Sequence, residues 1–256
     1  MTAVFDSYAA YYDLLYRDKN YSAEANFVDE LLAKHGVPDR GTLLELGCGT
    51  GKHAAELARK GYGIHGLDVS VSMVQAANDQ KPSEFAQLLQ FELGDVRTAR
   101  IARQFDAVIS LFHVASYQVT NADLTAMFQT AAMHLKAGGV FLFDCWYGPG
   151  VLTDLPVTRV KRMSGATANV LRIAEPVMHP NENIVDVNYT VQVQQQGEDH
   201  VSEIHETHRM RYLFTPELEW ILERAGLQMV ESVDWLTGTP IGLKSWTATF
   251  VAVKLA

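Results

Sequence analysis

The sequence predicts an α/β chain built on an open, mostly parallel sheet of seven strands, with an antiparallel β lobe inserted after strand five. Three observations predict it. The stretch LLELGCGTGKH, 43–53, passes from an apolar run through Gly47, Gly49 and Gly51 into Ala54, Ala55, Leu57 and Ala58 at helical spacing. That is strand, glycine turn and helix. Short apolar runs and helical patterns then alternate as far as Cys145, as crossover connections between parallel strands require. After Gly148-Pro149-Gly150 the texture changes to β-branched runs separated by turn signals, which read as antiparallel strands.

In chain order, an aromatic cluster comes first: Tyr8, Tyr11, Tyr12, Tyr16 and Tyr21. Tyr8, Tyr12, Leu15 and Tyr16 share one helical face, which fits a packed amphipathic helix and a substrate lid equally well. A second helix over 22–35 places Phe27, Val28, Leu31 and Leu32 on one side, and Gly36 and Pro38 stop it. Strands are expected at 43–46, 62–67, 88–93, 105–112 and 140–145. Ser70 caps a helix through Met73, and Asn121 caps one carrying Leu124, Met127, Phe128, Ala131 and Leu135, closed by Gly138-Gly139. The lobe strands are 157–163, 168–173, 184–193 and 201–213, with turns at Ser164-Gly165, Pro180-Asn181 and Gly197. Thr215-Pro216-Glu217 restarts a helix with Thr215 at the N-cap, ended by Gly226, and strands at 227–233 and 246–253 complete the sheet. The expected units are a helical cap, 1–40; a ligand-binding core, 41–150; the inserted lobe, 151–213; and a closing helix with two strands, 214–256.

The bulk properties narrow the function. A chain of 256 residues buries a sizeable core. A net charge of -9 and a pI near 5.4 argue against a general nucleic-acid or membrane binder. Cys48 and Cys145 are too few for a disulfide framework or a zinc site, which suits a reducing cytoplasm. No secretory h-region precedes Phe5 and no apolar run reaches the ~20 residues that span a bilayer, so a cytoplasmic protein is expected.

Glycine turns of this kind hold nucleotide-like ligands, and the spacing separates the classes. A P-loop fails twice, because His53 follows Gly51-Lys52 and Leu46 stands where the first glycine belongs. A dinucleotide fingerprint needs its third glycine three residues after the second, whereas Gly49 and Gly51 are two apart. What remains, Glu45-x-Gly47-x-Gly49-x-Gly51, resembles motif I of the class I S-adenosylmethionine (SAM) methyltransferases. Asp68 follows about one βαβ unit later, the spacing at which an acid meets ribose hydroxyls. Gly94-Asp95-Val96-Arg97 and Phe105-Asp106 follow in the methyltransferase order; the plainer alternative makes Asp68 and Asp95 helix caps or turn residues. The resemblance implies a Rossmann-like class I methyltransferase fold and SAM as cofactor, with S-adenosylhomocysteine as product. It implies SAM contacts from Glu45, Gly47, Cys48, Gly49, Gly51, Asp68, Val69, Met73, Gly94, Asp95, Val96 and Leu111, with Asp68 on the ribose and Asp95 near the adenine amino group.

Further segments sharpen the resemblance. Tyr12-Asp13-Leu14-Leu15-Tyr16, Lys19-Asn20-Tyr21-Ser22-Ala23-Glu24, SLFHVASY over 110–117 and ETHRMRYLFTPE over 206–217 look like the N,N-dimethyltransferases of nucleotide-linked amino sugars. The sequence departs from that pattern with His113 at an expected small polar position, and with Tyr117 where some members carry histidine. The resemblance implies a nucleotide-linked sugar acceptor and folds Tyr12 over the active site. Methyl transfer from a sulfonium is an in-line displacement by an acceptor lone pair, so orientation carries much of it. An amine must arrive neutral or give up a proton, whereas a hydroxyl needs a committed base or metal. Asp144 and Asp106 show no His or carboxylate partner at ligand spacing, which favours nitrogen. Tyr12, His113 and Tyr117 are the catalytic candidates, with the amine between the two tyrosines and His113 as one proton acceptor. Tyr16, Tyr21, Trp146, Tyr147, His208, Arg209 and Arg211 are the substrate candidates. His205 and His208 fall on opposite strand faces and form no metal pair, while Arg209 and Arg211 meet either a diphosphate or solvent. Three functions remain open: amino-sugar N-methylation, methylation of another small amine or hydroxyl, and SAM binding without transfer. The lobe either covers the acceptor or joins two copies into a homodimer.

Overall fold

The computed structural model describes residues 15–165, 168–197 and 200–255. Helix α1 (Tyr21–Lys34) begins at Asn20, whose side chain accepts the Ala23 N–H, and buries Phe27, Val28, Leu31 and Leu32. Strand β1 (Thr42–Leu46), α2 (Lys52–Arg59), β2 (Gly63–Asp68), α3 (Val71–Asp79), β3 (Leu89–Leu93) and β4 (Phe105–Ser110) follow. Then come α4 (Asn121–His134), β5 (Leu135–Trp146) and α5 (Gly148–Thr153). The lobe consists of β6 (Arg159–Ser164), β7 (Ala168–His179), β8 (Ile184–Gln195) and β9 (Val201–Arg211). Helix α6 (Thr215–Arg224), β10 (Leu227–Asp234) and β11 (Thr247–Lys254) close the chain.

The main sheet runs β10-β11-β5-β4-β1-β2-β3, parallel except for β11. This is the Rossmann-like class I methyltransferase fold with an inserted antiparallel lobe. Leu43, Leu44 and Leu46 of β1 are all buried because both faces of the strand are covered, and Glu45 is buried with them. Leu44 and Leu46 join the core under α4 and α6, where Phe141 stacks on Phe143 at 4.8 Å. Leu43 joins the core under α1 and α2 on the other face. The order reverses between β1 and β4, so the carboxyl ends of β1, β2, β4 and β5 open on a switch-point crevice.

The four-stranded lobe is pinned where it leaves and rejoins the core. Gly148 N–H donates to Leu213 O at 2.8 Å, and Leu213 N–H donates to Trp146 O at 2.9 Å. One inner patch, Val185, Val187, Met210 and Tyr212, packs with Trp146 and Tyr117. Another, Met163, Val170, Val191 and Val193, buries Leu15 of the N-terminal segment. Among the described residues no helix is long and apolar enough to cross a membrane.

Several boundaries differ from the sequence expectation for identifiable reasons. Thr120, not Asn121, caps α4, its hydroxyl accepting the Asp123 N–H at 3.0 Å. Leu135 already pairs with Phe105, and the residues around Gly138-Gly139 bulge before Val140 pairs with Ala107. Phe214, not Thr215, takes the N-cap place of α6, and Glu217 accepts its backbone N–H at 2.8 Å. Strand β7 continues past Ile173 to His179 despite Pro176. Strand β6 stops pairing at Ala174, so beyond it β7 is an edge that tolerates a missing N–H. Tyr8, Tyr11 and Tyr12 lie outside the described residues.

Candidate active site

The turn after β1 folds back on the end of β2: Gly47 and Cys48 both donate their N–H groups to Leu67 O, at 2.8 and 2.9 Å. Gly47 has φ +80°, and a Cβ there would meet Val114 Cγ2 at 2.5 Å; one on Gly51 would meet the Phe91 ring at 2.7 Å. Gly49 has φ +51° and nothing within 4 Å of a Cβ position, so its backbone faces open space. Asp68 ends β2 with both oxygens oriented: Oδ2 accepts the Gly49 N–H at 2.8 Å and Oδ1 the Ser70 N–H at 2.9 Å. Burial pushes the Asp68 carboxyl up against the opposing pull of those N–H donors. The Val69 N–H donates to the carboxylate as well, which leaves it accepting capacity for a ribose hydroxyl. Beneath the turn Glu45 is fully buried, and burial, with the Asp68 charge second, raises its carboxyl to about 8.

The turn opens into a cleft with an empty volume of about 1360 Å³, its mouth included. Gly47, Cys48, Gly49, Asp68, Val69, Met73, Asp95, Val96 and Leu111 line one part of it. Asp95 also caps its own turn: Arg97 clamps its carboxylate at 2.6 and 2.9 Å, which holds it below the usual range. The open Gly49 backbone and the oriented Asp68 carboxylate fit the ribose and methionine parts of SAM. Among the described residues no three His, Cys, Asp or Glu side chains gather as a metal site.

The other part of the cleft is aromatic: Tyr16, Tyr21, Phe112, His113, Tyr117, Trp146, Tyr189 and His208. The lobe supplies Tyr189, His208 and Met210, so it covers this end. Tyr117 Oη lies 2.7 Å from His208 Nδ1, and His208 Nε2 lies 3.2 Å from Glu206 Oε2. Burial, then the neighbouring Tyr189, Tyr16 and Glu206, pushes the Tyr117 phenol well above its ordinary range. Phe112 and His113 are both left-handed, at φ +65° and +67°, a strained pair of non-glycine residues. The buried Asp144 carboxylate holds that turn by accepting the His113 backbone N–H at 3.1 and 3.2 Å. It also lies 2.7 Å from His113 Nδ1, off the direction of the ring N–H. The expectation that Asp144 lacks a histidine partner is thus corrected: paired strand ends, Ser110 beside Phe143, bring the two residues together.

Other expected site residues lie elsewhere. Glu45, Gly51 and Gly94 are not among the residues that line the cleft, Glu45 and Gly51 being buried and Gly94 half-buried, and Tyr147 alternates away from Trp146 to pack near Phe250 at 6.3 Å. Arg209 is exposed and pairs with Glu182 at 2.6 Å; Arg211 is buried against Glu217 at 2.6 Å. Neither arginine lines the cleft. Sequence reasoning passed over Glu206, whose spacing of two from His208 on a strand was the available signal. It also passed over the group formed by the half-buried Lys19 with the buried Glu24 and His53. Glu24 accepts from Lys19 and lies 2.6 Å from His53 Nε2, tying the segment before α1 to the start of α2. Lys19 Nζ sits 4.3 Å from the Phe112 ring centroid.

Residues 43–139 match the family model described as a methyltransferase domain. The chain is 33% identical over 238 residues to dTDP-3-amino-3,4,6-trideoxy-alpha-D-glucopyranose N,N-dimethyltransferase of Streptomyces venezuelae, covering 92% of this chain and 94% of that protein. It is 28% identical to dTDP-3-amino-3,6-dideoxy-alpha-D-glucopyranose N,N-dimethyltransferase of Streptomyces fradiae, covering 91% and 87%. The crystal structure of Streptomyces venezuelae DesVI superposes with a TM-score of 0.80 at 26% identity, covering 96% of this chain and 98% of that one. With the glycine turn, the oriented Asp68 and the sheet order, this near full-length similarity makes the chain a member of the class I SAM-dependent methyltransferases, resembling the dTDP-amino-sugar N,N-dimethyltransferases.

Proposed function

We propose that the protein transfers a methyl group from SAM to the amino nitrogen of a nucleotide-linked amino sugar. The observation that carries this reading is the Tyr117 phenol, 2.7 Å from His208 Nδ1 on the wall of the cleft that also holds the glycine turn. A neutral phenol oxygen accepts a hydrogen bond from an amine N–H and so steers the nitrogen lone pair. The names of the Streptomyces relatives, both N,N-dimethyltransferases of dTDP-linked amino sugars, support the same acceptor class.

When bound, SAM supplies a methyl group already activated on a sulfonium, so the residues around it have mainly to orient the acceptor. Asp68 takes the ribose hydroxyls and Asp95 lies toward the adenine. Phe112 and Trp146 give the sugar ring apolar walls, and Tyr16 and Tyr21 close the N-terminal side. Tyr117 borders the amine, and Tyr12 lies outside the described residues. His113, held by Asp144, stands beside the acceptor and keeps the Phe112 ring in place. The covering lobe also leaves an outer sheet face for pairing two copies into a homodimer.

The test uses methyl-labelled SAM and a matched pair of nucleotide-linked sugars carrying an amino group or a hydroxyl at the same carbon. Label in the amino sugar alone is expected. Label only in the hydroxyl sugar, or in neither while SAM binds, overturns the reading.

A further inference from the structure

We propose that Glu206, His208 and Tyr117 form a proton relay, through which the acceptor nitrogen loses its proton before it attacks. The proposal rests on the amine-methylating reading above and adds two residues behind the phenol.

Strand alternation puts Glu206 and His208 on the inner face of β9, where each side chain is only 5% exposed. An ionised carboxylate can only accept, so the 3.2 Å contact to Glu206 places the proton on His208 Nε2. The neutral ring then offers Nδ1 as an acceptor, and the Tyr117 hydroxyl donates to it across 2.7 Å. With its hydrogen turned toward His208, the phenol presents an accepting oxygen to an N–H in the cleft. The Tyr189 ring fixes the imidazole plane from β8, edge to face at 4.8 Å. Arg172 on β7 lies over that tyrosine at 5.1 Å, and among the described residues Tyr16 is a further ionisable group near Tyr117.

Burial holds the Tyr117 phenol against ionising alone, so it can take a proton only while passing its own onward. The acceptor ammonium gives a proton to Tyr117 Oη, and the phenol proton moves to His208 Nδ1. The product is a neutral amine, an intact phenol and an imidazolium beside the Glu206 carboxylate. The nitrogen pair so freed attacks the donor methyl, and the imidazolium returns its proton to water when the cleft opens. Glu206 Oε1 is buried with no hydrogen-bond partner among the described residues. A half-satisfied buried carboxylate is costly unless a cation forms next to it, and the relay provides that cation.

Two readouts test the relay. Nitrogen-15 NMR of the parent should show His208 as the Nε2–H tautomer, and Glu206→Gln should give a mixture of tautomers while SAM affinity by calorimetry stays at the parent value. On the amino-sugar acceptor, Glu206→Gln should lower kcat by about tenfold or more with KM little changed, and move the acid limb of the kcat profile; Tyr117→Phe should match that loss. A parent ring protonated on Nδ1, or a kcat profile unmoved in Glu206→Gln, overturns the relay. A parent that shows the Nε2–H tautomer but methylates no amine overturns the amine reading instead.

Discussion

Asp68 Oδ2 accepts the backbone N–H of Gly49 at 2.8 Å, so the acid at the end of β2 shapes the turn at the end of β1. Replacing it removes a brace of the turn together with the carboxylate proposed to take the ribose hydroxyls. Asp68→Ala should weaken SAM binding by about 1.5–3 kcal/mol, roughly ten- to a hundredfold, as calorimetry would measure. An unchanged affinity would move the ribose site elsewhere.

Gly47 is held to glycine by space as well as by φ. Gly47→Ala drives a Cβ to within 2.5 Å of Val114 and should destabilise the fold by about 1–3 kcal/mol, lowering Tm by several degrees. Adding Val114→Ala removes the clash but not the left-handed strain, so the double variant should recover part of the loss. Recovery of none of it would assign the whole cost to the backbone.

Glu45 couples stability to pH. Its carboxyl is raised from the ordinary 4.5 to about 8, so across that window the native chain holds a proton that the unfolded chain has released. Stability therefore falls as pH rises through the window and levels off above it. Glu45→Gln cannot titrate, and its unfolding free energy relative to the parent should climb by up to a few kcal/mol over the same range. Urea titrations at a series of pH values check this. A constant difference would contradict a proton on Glu45.

The Phe112–His113 turn depends on Asp144. Asp144→Ala leaves the His113 N–H without its carboxylate and should cost about 1.5–3 kcal/mol by denaturant unfolding, whereas Asp144→Asn keeps one acceptor oxygen and should cost less. His113→Ala should slow turnover only a few-fold if the residue holds and orients. A collapse of turnover with loss of a pH limb would make His113 the base instead of the Tyr117 relay.

The cofactor end of the cleft was legible because its chemistry is written contiguously. A strand, a glycine turn and a helix follow one another over 43–53, and Asp68 recurs at the interval the crossover imposes. The acceptor end was not, because its partners meet only through the fold. Tyr117 follows β4, and His208 reaches it from a strand 91 residues later, after the lobe has folded back. Asp144 and His113 meet because β4 and β5 run side by side, which no spacing along one strand reveals. Arginines two apart at 209 and 211 promised a common ligand, but the end of β9 turns under α6 and separates an exposed ion pair from a buried one.

The most direct measurement of the central claim is NMR of the product made from carbon-13-methyl SAM and a nucleotide-linked sugar whose amino group is nitrogen-15. Transfer to nitrogen predicts a one-bond carbon–nitrogen coupling at the new methyl signal. A labelled methyl without that coupling, or no labelled sugar while calorimetry shows SAM bound, would contradict it.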